Sequence, residues 1–232
     1  MYFIDEQLTK DIIIRTPPEL CEFIYKKVNR KPFVNILDVG AYDGALSKPW
    51  RKKKSSNIIG LDIIDIYSDS FSEFIHKDYL TTTADDYSVK PDLVISNPPF
   101  NDLMPWQYIK HTHQLFGSTI PIIMILPNYV LDNSKNRADE LAKLNITKII
   151  KLDRNTFLDV AIHCSVVFIN MHFSKPKLYE YYYPKREIKG KVRTLYFTKE
   201  QEEFLQKEIK VKNFTQLIKE LIAKEFKEFP LK

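Results

Sequence analysis

Val34-Asn35-Ile36-Leu37-Asp38-Val39-Gly40-Ala41-Tyr42-Asp43-Gly44 joins a short apolar run to a glycine-bearing turn. The run reads as a buried strand, and the turn leads towards a helix. Glycine lets a backbone approach a ligand closely, and free N–H groups in such a turn would face that ligand. A purely structural strand-to-helix turn has similar residues, so the stretch gains meaning from its surroundings.

Apolar runs recur on both sides of it. Ile58–Leu61, Phe74-Ile75, Leu93–Ser96, Ile120–Leu126, Ile146–Leu152 and Cys164–Phe173 read as further strands, seven in all with Val34–Val39. Helical spacing is found over Pro18–Val28, Trp106–Phe116 and Lys135–Leu144. Short β-branched strands alternating with helical spacers predict βαβ units and a seven-stranded, mostly parallel, doubly wound α/β sheet. In such sheets ligands sit at the carboxyl ends of the strands.

The 232 residues suffice for one full domain and a small appendage. Hydrophobic residues at 44% and charged residues at 28% exclude a disordered chain. No apolar run reaches the roughly 18 residues of a membrane span. Met1–Glu6 lacks the basic start and apolar core of a signal peptide. With only two cysteines, a reducing, cytoplasmic setting is expected. Of the net charge of +5, residues 175–232 hold 15 basic against 9 acidic residues, +6, which leaves −1 for residues 1–174. A basic tail suits an acidic partner such as nucleic acid, although a solvated lysine-rich surface has the same composition.

Three more strand ends finish in polar residues. Asp62 lies 24 residues after Asp38 and is placed to accept hydrogen bonds from ribose hydroxyls, or to cap a helix. Asp78, in Lys77-Asp78-Tyr79-Leu80, is a candidate acceptor for an adenine amino group, whereas Asp85 and Asp86 read as solvated loop charges. Ser96-Asn97-Pro98-Pro99-Phe100 is the most specific of the three. Two prolines end a strand abruptly and stiffen the loop beyond it. Asn97 then supplies a side-chain oxygen, Pro98 a carbonyl and Phe100 an aromatic face. Two acceptors and a stacking plate suit a planar group bearing NH₂; a tight turn with a buried Phe is the plain alternative.

Together these residues resemble the class I S-adenosylmethionine-dependent methyltransferases of the adenine-N6 type. The resemblance covers residues 12–174. Asn97-Pro98-Pro99-Phe100 matches the family's catalytic tetrad, Asp38 to Gly44, with Gly40, its glycine motif, and Asp62 its ribose-binding acid. Asp78 fits the position that contacts the cofactor's adenine. Arg15-Thr16-Pro17-Pro18-Glu19-Leu20 resembles the Thr-Pro segment preceding strand one in γ-type DNA methyltransferases, which implies Thr16 and Pro17 at the methionine end of the cofactor. Thr16 as a helix N-cap with Pro17 at the first helical position is the alternative. Leu126–Leu131 and Arg137 resemble the strand after the catalytic one in phage and archaeal relatives. One departure is Tyr42, where the family often has glycine.

The resemblance implies S-adenosyl-L-methionine as cofactor, double-stranded DNA with a flipped-out adenine as substrate, and no metal. An RNA adenine methyltransferase shares the tetrad. A protein-glutamine methyltransferase does too, usually with Tyr where Phe100 stands. A DNA-binding regulator with an inactive methyltransferase fold is the non-enzyme reading. His111 and His113 read as packing or surface histidines, and Lys48–Lys54 as a solvated basic run or a phosphate contact.

Residues 1–176 are thus expected to form the methyltransferase domain and 177–190 a linker. Residues 191–232 resemble a ribbon-helix-helix module. Val192–Phe197 reads as a strand, with Thr194 and Tyr196 outward. Thr198 and Gln201 open a helix as a capping box, and Asn213 caps a second. Phe214, Leu217, Ile218, Leu221, Ile222 and Phe226 form an apolar stripe at helical spacing. So small a unit needs a partner surface, which implies a homodimer through 191–232. The family's inter-helix glycine is Lys210 here, and a helical cap packed on the catalytic domain is the alternative.

Overall fold

The computed structural model describes residues 14–28, 33–52, 55–66, 68–101, 103–132, 139–157, 162–173 and 178–184. The C-terminal module expected over 191–232 lies outside them, as does Arg137.

Helix α1, Pro18–Val28, opens with proline at a position that needs no N–H, carries Glu19 in its first turn and Lys26 and Lys27 in its last. Leu20, Cys21, Ile24, Tyr25 and Val28 form its buried face. The strands are β1 Asn35–Val39, β2 Asn57–Asp62, β3 Glu73–His76, β4 Leu93–Ser96 and β5 Ile122–Pro127. Helix α2, Met104–Phe116, separates β4 from β5, and the short α3, Asn128–Asp132, comes after β5. Then come β6 Ile146–Leu152, β7 Cys164–Ile169 and β8 Tyr179–Tyr182.

They form one sheet in the order β3-β2-β1-β4-β5-β7-β6-β8. Only β7 runs against its neighbours. The centre is apolar on both faces. Ile36, Ile58 and Ile95 pack with α1 in one core, while Leu37, Ile59 and Val94 pack with α2 in the other. That is why the central strands read as near-continuous apolar runs.

Several strand ends shift by one or two residues from the sequence reading, β5 running Ile122–Pro127 rather than Ile120–Leu126, and three differences have a clear cause. Helix α2 begins at Met104, two residues early, with Pro105 near its start. Strand β7 stops at Ile169 because Asn170 turns left-handed, with φ of 56°. The sheet has eight strands rather than seven: 179–182, read as part of a linker over 177–190, pair in parallel with β6. Alternation there is weak because three of the tyrosines over 179–183 are outward and only Tyr182 is buried.

Of the basic run, residues 48–52 are described: Lys48, Arg51 and Lys52 are exposed, and Pro49 and Trp50 are buried. Trp50 is buried edge-on against Tyr25, and Lys52 pairs with Glu22. His111 bonds Thr82 through Nε2 at 3.1 Å and meets Tyr79 edge-on, which is a packing role. Asp86 is more than a loop charge: it forms a two-pronged ion pair with Lys77 at 2.8 and 2.9 Å and closes a capping box with Thr83. Among the described residues, no helix is long and apolar enough to cross a membrane.

Candidate active site

The strand order reverses between β1 and β4, and a crevice opens at their carboxyl ends, where such sheets hold ligands. Ser96 locks the two ends together by donating to the Val39 carbonyl at 2.7 Å. The cavity there measures about 140 Å³, against the ~10–15 Å³ that one water needs. Thr16, Asp38, Gly40, Asp62, Asn97, Pro98 and Pro99 all line it, so seven of the expected site residues converge.

Asn97 is held from behind. Its Nδ2 donates to the Ile14 carbonyl at 2.7 Å and to the Thr16 hydroxyl at 3.1 Å. A carbonyl can only accept, so these contacts fix which end of the amide is nitrogen. Oδ1 is left buried with no hydrogen-bond partner. Asp38 is 1% exposed at the end of β1, and its Oδ2 is likewise unpartnered. Burial pushes its carboxyl up to about 7, against opposing hydrogen bonds from Ser47. Buried polar atoms are seldom left unpaired, so two orphan acceptors in one cavity mark a place for a donor-bearing ligand.

Asp62, 8% exposed, accepts from the Tyr42 amide at 2.8 Å and the Ile64 amide at 3.0 Å, one on each carboxylate oxygen. The glycine turn therefore differs from expectation. The N–H groups of Gly40 and Ala41 bond the Leu61 carbonyl, that of Gly44 bonds Ala41, and that of Tyr42 goes to Asp62. These four amides are used inside the protein, so none of them faces a ligand as a free donor. Gly40 supplies space: at φ of 65°, an added Cβ would meet only the Asn97 carbonyl, at 3.8 Å. Tyr42 takes the left-handed conformation, φ of 46°, at the position where glycine is usual, and it forms part of the wall.

Four expected residues do not line the cavity. Pro17 gives its carbonyl to the amides of Leu20 and Cys21 at the start of α1, which begins at Pro18 rather than at Pro17. Gly44, at φ of 75°, packs against Ser70 and Phe71. Asp78 is exposed and caps a 3₁₀ turn, accepting from the Leu80 amide at 3.0 Å, while its neighbours Lys77 and Tyr79 form the wall. Phe100 is partly buried against the α1-side core, and its carbonyl accepts from the Tyr129 hydroxyl.

Arg15, Asp43 and Tyr108 also line the cavity, and the sequence pattern assigns them no role. Arg15 and Asp43 form an ion pair that ties the segment before α1 to the glycine turn. Both lie inside the motifs quoted above, next to Thr16 and Gly44. Tyr108 sits in mid-helix on α2 and carries no sequence signal; burial pushes its hydroxyl up, as do Asp78 and Asp62.

No family profile and no curated protein matches the sequence. Solved structures do match. A chain of the type I restriction-modification system aligns with a TM-score of 0.56 at 13% identity, over 77% of this chain and 46% of that one. The type I restriction-modification methyltransferase subunit from Streptococcus thermophilus aligns at 0.55 and 13%, over 72% and 47%. A chain from Listeria monocytogenes assigned to the class I S-adenosylmethionine-dependent methyltransferases aligns at 0.52 and 18%, over 72% and 65%. This chain spans less than two thirds of the length of each. The likeness is one of fold: the sheet and its flanking helices are those of the Rossmann-like class I methyltransferases.

Proposed function

We propose that the protein transfers a methyl group from S-adenosyl-L-methionine to the N6 amino group of adenine in DNA. The observation that carries this reading is the fixed amide of Asn97, with its nitrogen tied back and its buried oxygen left without a partner.

The residues present fit the cofactor. It offers a cationic ammonium, two ribose hydroxyls and an adenine, and the cavity offers Asp38 with an orphan oxygen and Asp62 with a lone pair to spare on each oxygen. In this reading Thr16 and Gly40 shape the methionine end, Pro17 and Gly44 set the paths of the chain behind them, and Asp78 serves the adenine end indirectly, by capping the turn that places Lys77 and Tyr79 in the wall. When bound, S-adenosylmethionine supplies a methyl group already activated on a sulfonium.

The protein's task is to present the acceptor nitrogen. The lone pair of an adenine amino group is delocalised into the ring, so the nitrogen is a poor nucleophile. Asn97 Oδ1 and the Pro98 carbonyl would accept one N–H each, favouring a tetrahedral nitrogen with an aimed lone pair. Alignment and fixed dipoles then supply the acceleration. Pro98 and Pro99 stiffen the corner, so it does not reorganise. The exposed part of Phe100 would stack on the flipped base and offset part of the unstacking cost. The methylated nitrogen is a strong acid and loses its proton without a dedicated base.

Residues 191–232 would form a ribbon-helix-helix-like dimerising, DNA-binding module attached to the catalytic unit. Deleting them would turn a dimer into a monomer, lowering the mass in solution by more than half, and weaken DNA binding. Labelled methyl transfer to duplex DNA and to RNA, with wild type and Asn97→Ala, tests the central reading. Incorporation into DNA that Asn97→Ala abolishes is expected. Equal incorporation by both proteins overturns the assignment of Asn97, and incorporation into RNA alone overturns DNA as substrate.

A further inference from the structure

Among the described residues strand β8 forms one edge of the sheet, and its outward side chains are aromatic. Tyr182 points into the α1-side core, and Glu180 takes ion pairs from Lys27 and Lys148. Tyr179 and Tyr181 alternate with them and are 52% and 67% exposed. Tyr183 is 69% exposed, its ring nearly parallel to that of Tyr181 at 18° with centroids 6.4 Å apart.

Positive charge lies beside the tyrosines. Tyr181 is in register with Lys151 of β6, and Arg154 lies just past the end of that strand. Neither Lys151 nor Arg154 has a carboxylate partner among the described residues. The nearest acid in sequence, Asp153, is engaged by the backbone and side-chain amides of Asn155. Pro184 then ends the edge, which disfavours extension by another strand. Among the described residues the patch therefore presents tyrosine hydroxyls and two cations that no carboxylate pairs with, a donor-rich surface that stays net positive with Asp153 counted and suits a polyanion.

Topology puts this patch on the side of the site. Strand β8 is parallel to β6 and, through the reversed β7, to β5, β4 and β1, so its carboxyl end lies on the same edge as Asn97. Four strand spacings separate β4 from β8, roughly 19 Å at ~4.8 Å each. Along a duplex that is about 6 base pairs at ~3.4 Å per pair.

We propose that Tyr179, Tyr181, Tyr183, Lys151 and Arg154 grip the phosphate backbone of the DNA flanking the target base. The grip rests on the reading of the substrate as DNA and adds a second point of attachment, indifferent to sequence. Lysine and arginine neutralise phosphates, and tyrosine hydroxyls donate to them, without reading bases.

The test is the salt dependence of DNA binding by the full chain, using a 30-base-pair duplex and an 8-base-pair duplex. Removing one cation that neutralises a phosphate lowers the slope of log K against log salt by about 0.9. K151Q/R154Q is expected to lower it by about 2 on the long duplex and to weaken binding on the order of tenfold at low salt. Y181A/Y183A is expected to weaken binding severalfold with little change in slope. On the short duplex, with its only adenine at the centre, the DNA reaches about 4 base pairs to either side of the target, short of the roughly 6 needed to meet the patch, and the variants and wild type should coincide. Cofactor binding by calorimetry, unchanged in both variants, shows that they are folded. If wild type binds the long duplex and both variants keep its affinity and slope, the grip is overturned while the proposed function stands. If wild type binds no DNA, both fall. If the variants differ from wild type in mass but not in DNA binding, the patch joins protein copies and the grip is again overturned.

Discussion

The amide nitrogen of Asn97 lies 3.1 Å from the hydroxyl oxygen of Thr16, across 81 residues of chain. The residue expected to serve the cofactor is thus also a rear support for the residue expected to face the substrate. Thr16 is 4% exposed, so this hydrogen bond is shielded from water. A buried hydrogen bond contributes about 1 kcal/mol net. Thr16→Val should therefore lower kcat for methyl transfer about fivefold to tenfold through a less firmly oriented amide, while Thr16→Ser restores it. Single-turnover transfer of a labelled methyl group measures this; an unchanged rate in Thr16→Val would leave the Ile14 carbonyl as the sole determinant of the orientation.

Asp38 makes a pH-dependent prediction of unusual sign. Its carboxyl is raised by burial to about 7, whereas in the unfolded chain it lies near 3.8. Between those values the folded protein binds more protons than the unfolded one. Stability should therefore fall as pH rises from about 4 to about 7, by up to a few kcal/mol, and then level off. Asp38→Asn should flatten that slope in urea denaturation series. A cationic ligand requires the carboxylate, so S-adenosylmethionine affinity should rise about tenfold per pH unit up to pH 7 and then plateau. In Asp38→Asn the affinity is low throughout and independent of pH.

The sheet and the corners of the site are legible in the residues themselves. The buried strands declare themselves because both faces are apolar, and Asn97-Pro98-Pro99 because prolines fix a backbone locally. Strand β8 leaves no such trace because it is an edge strand with one buried tyrosine among exposed ones, and so has no apolar run. Asp78 stands out over Lys77 and Tyr79 in the sequence because an acid is the obvious adenine acceptor. The short turn after it needs a cap, however, and the carboxylate serves that need. Tyr108 could not be foreseen, since its place in the wall depends on how α2 lies across the sheet.

The two glycines of the turn should differ sharply on substitution. Gly40→Ala meets only a carbonyl at 3.8 Å, so its cost is the left-handed backbone, on the order of 1–2 kcal/mol. Gly44→Ala carries the same backbone strain and would also place a Cβ 2.6 Å from Ser70 Cβ and 2.9 Å from the Phe71 ring. Overpacking of this kind costs a further ~1–3 kcal/mol. Thermal unfolding should rank Gly44→Ala clearly below Gly40→Ala; an equal fall would mean that Phe71 moves aside freely.

Glu180 fastens β8 to the rest of the domain through two lysines from different elements. Lys148 is 3% exposed on β6 and lies 4.7 Å from the centre of the Phe173 ring, and Lys27 reaches over from α1. Burial alone would raise the Glu180 carboxyl, but its hydrogen bonds and charge pairing with Lys148 and Lys27 outweigh that and hold it below the usual range. A lowered carboxyl stabilises the fold above about pH 4.5, and the contribution is lost as pH falls through the folded value. The contacts are partly buried, so loss of the Glu180 carboxylate costs about 1.5 kcal/mol, the scale of a hydrogen bond to a charged group, rather than the full penalty of a buried pair. Glu180→Gln should therefore destabilise the domain by about that much at pH 7, and by progressively less as the wild type is acidified below pH 4. Glu180→Gln combined with Lys148→Met should recover a large part of the loss, since no buried ammonium is then left facing a neutral amide. Urea denaturation of the wild type, the two single variants and the double variant closes the cycle; strictly additive losses would show that the two side chains do not act as a pair.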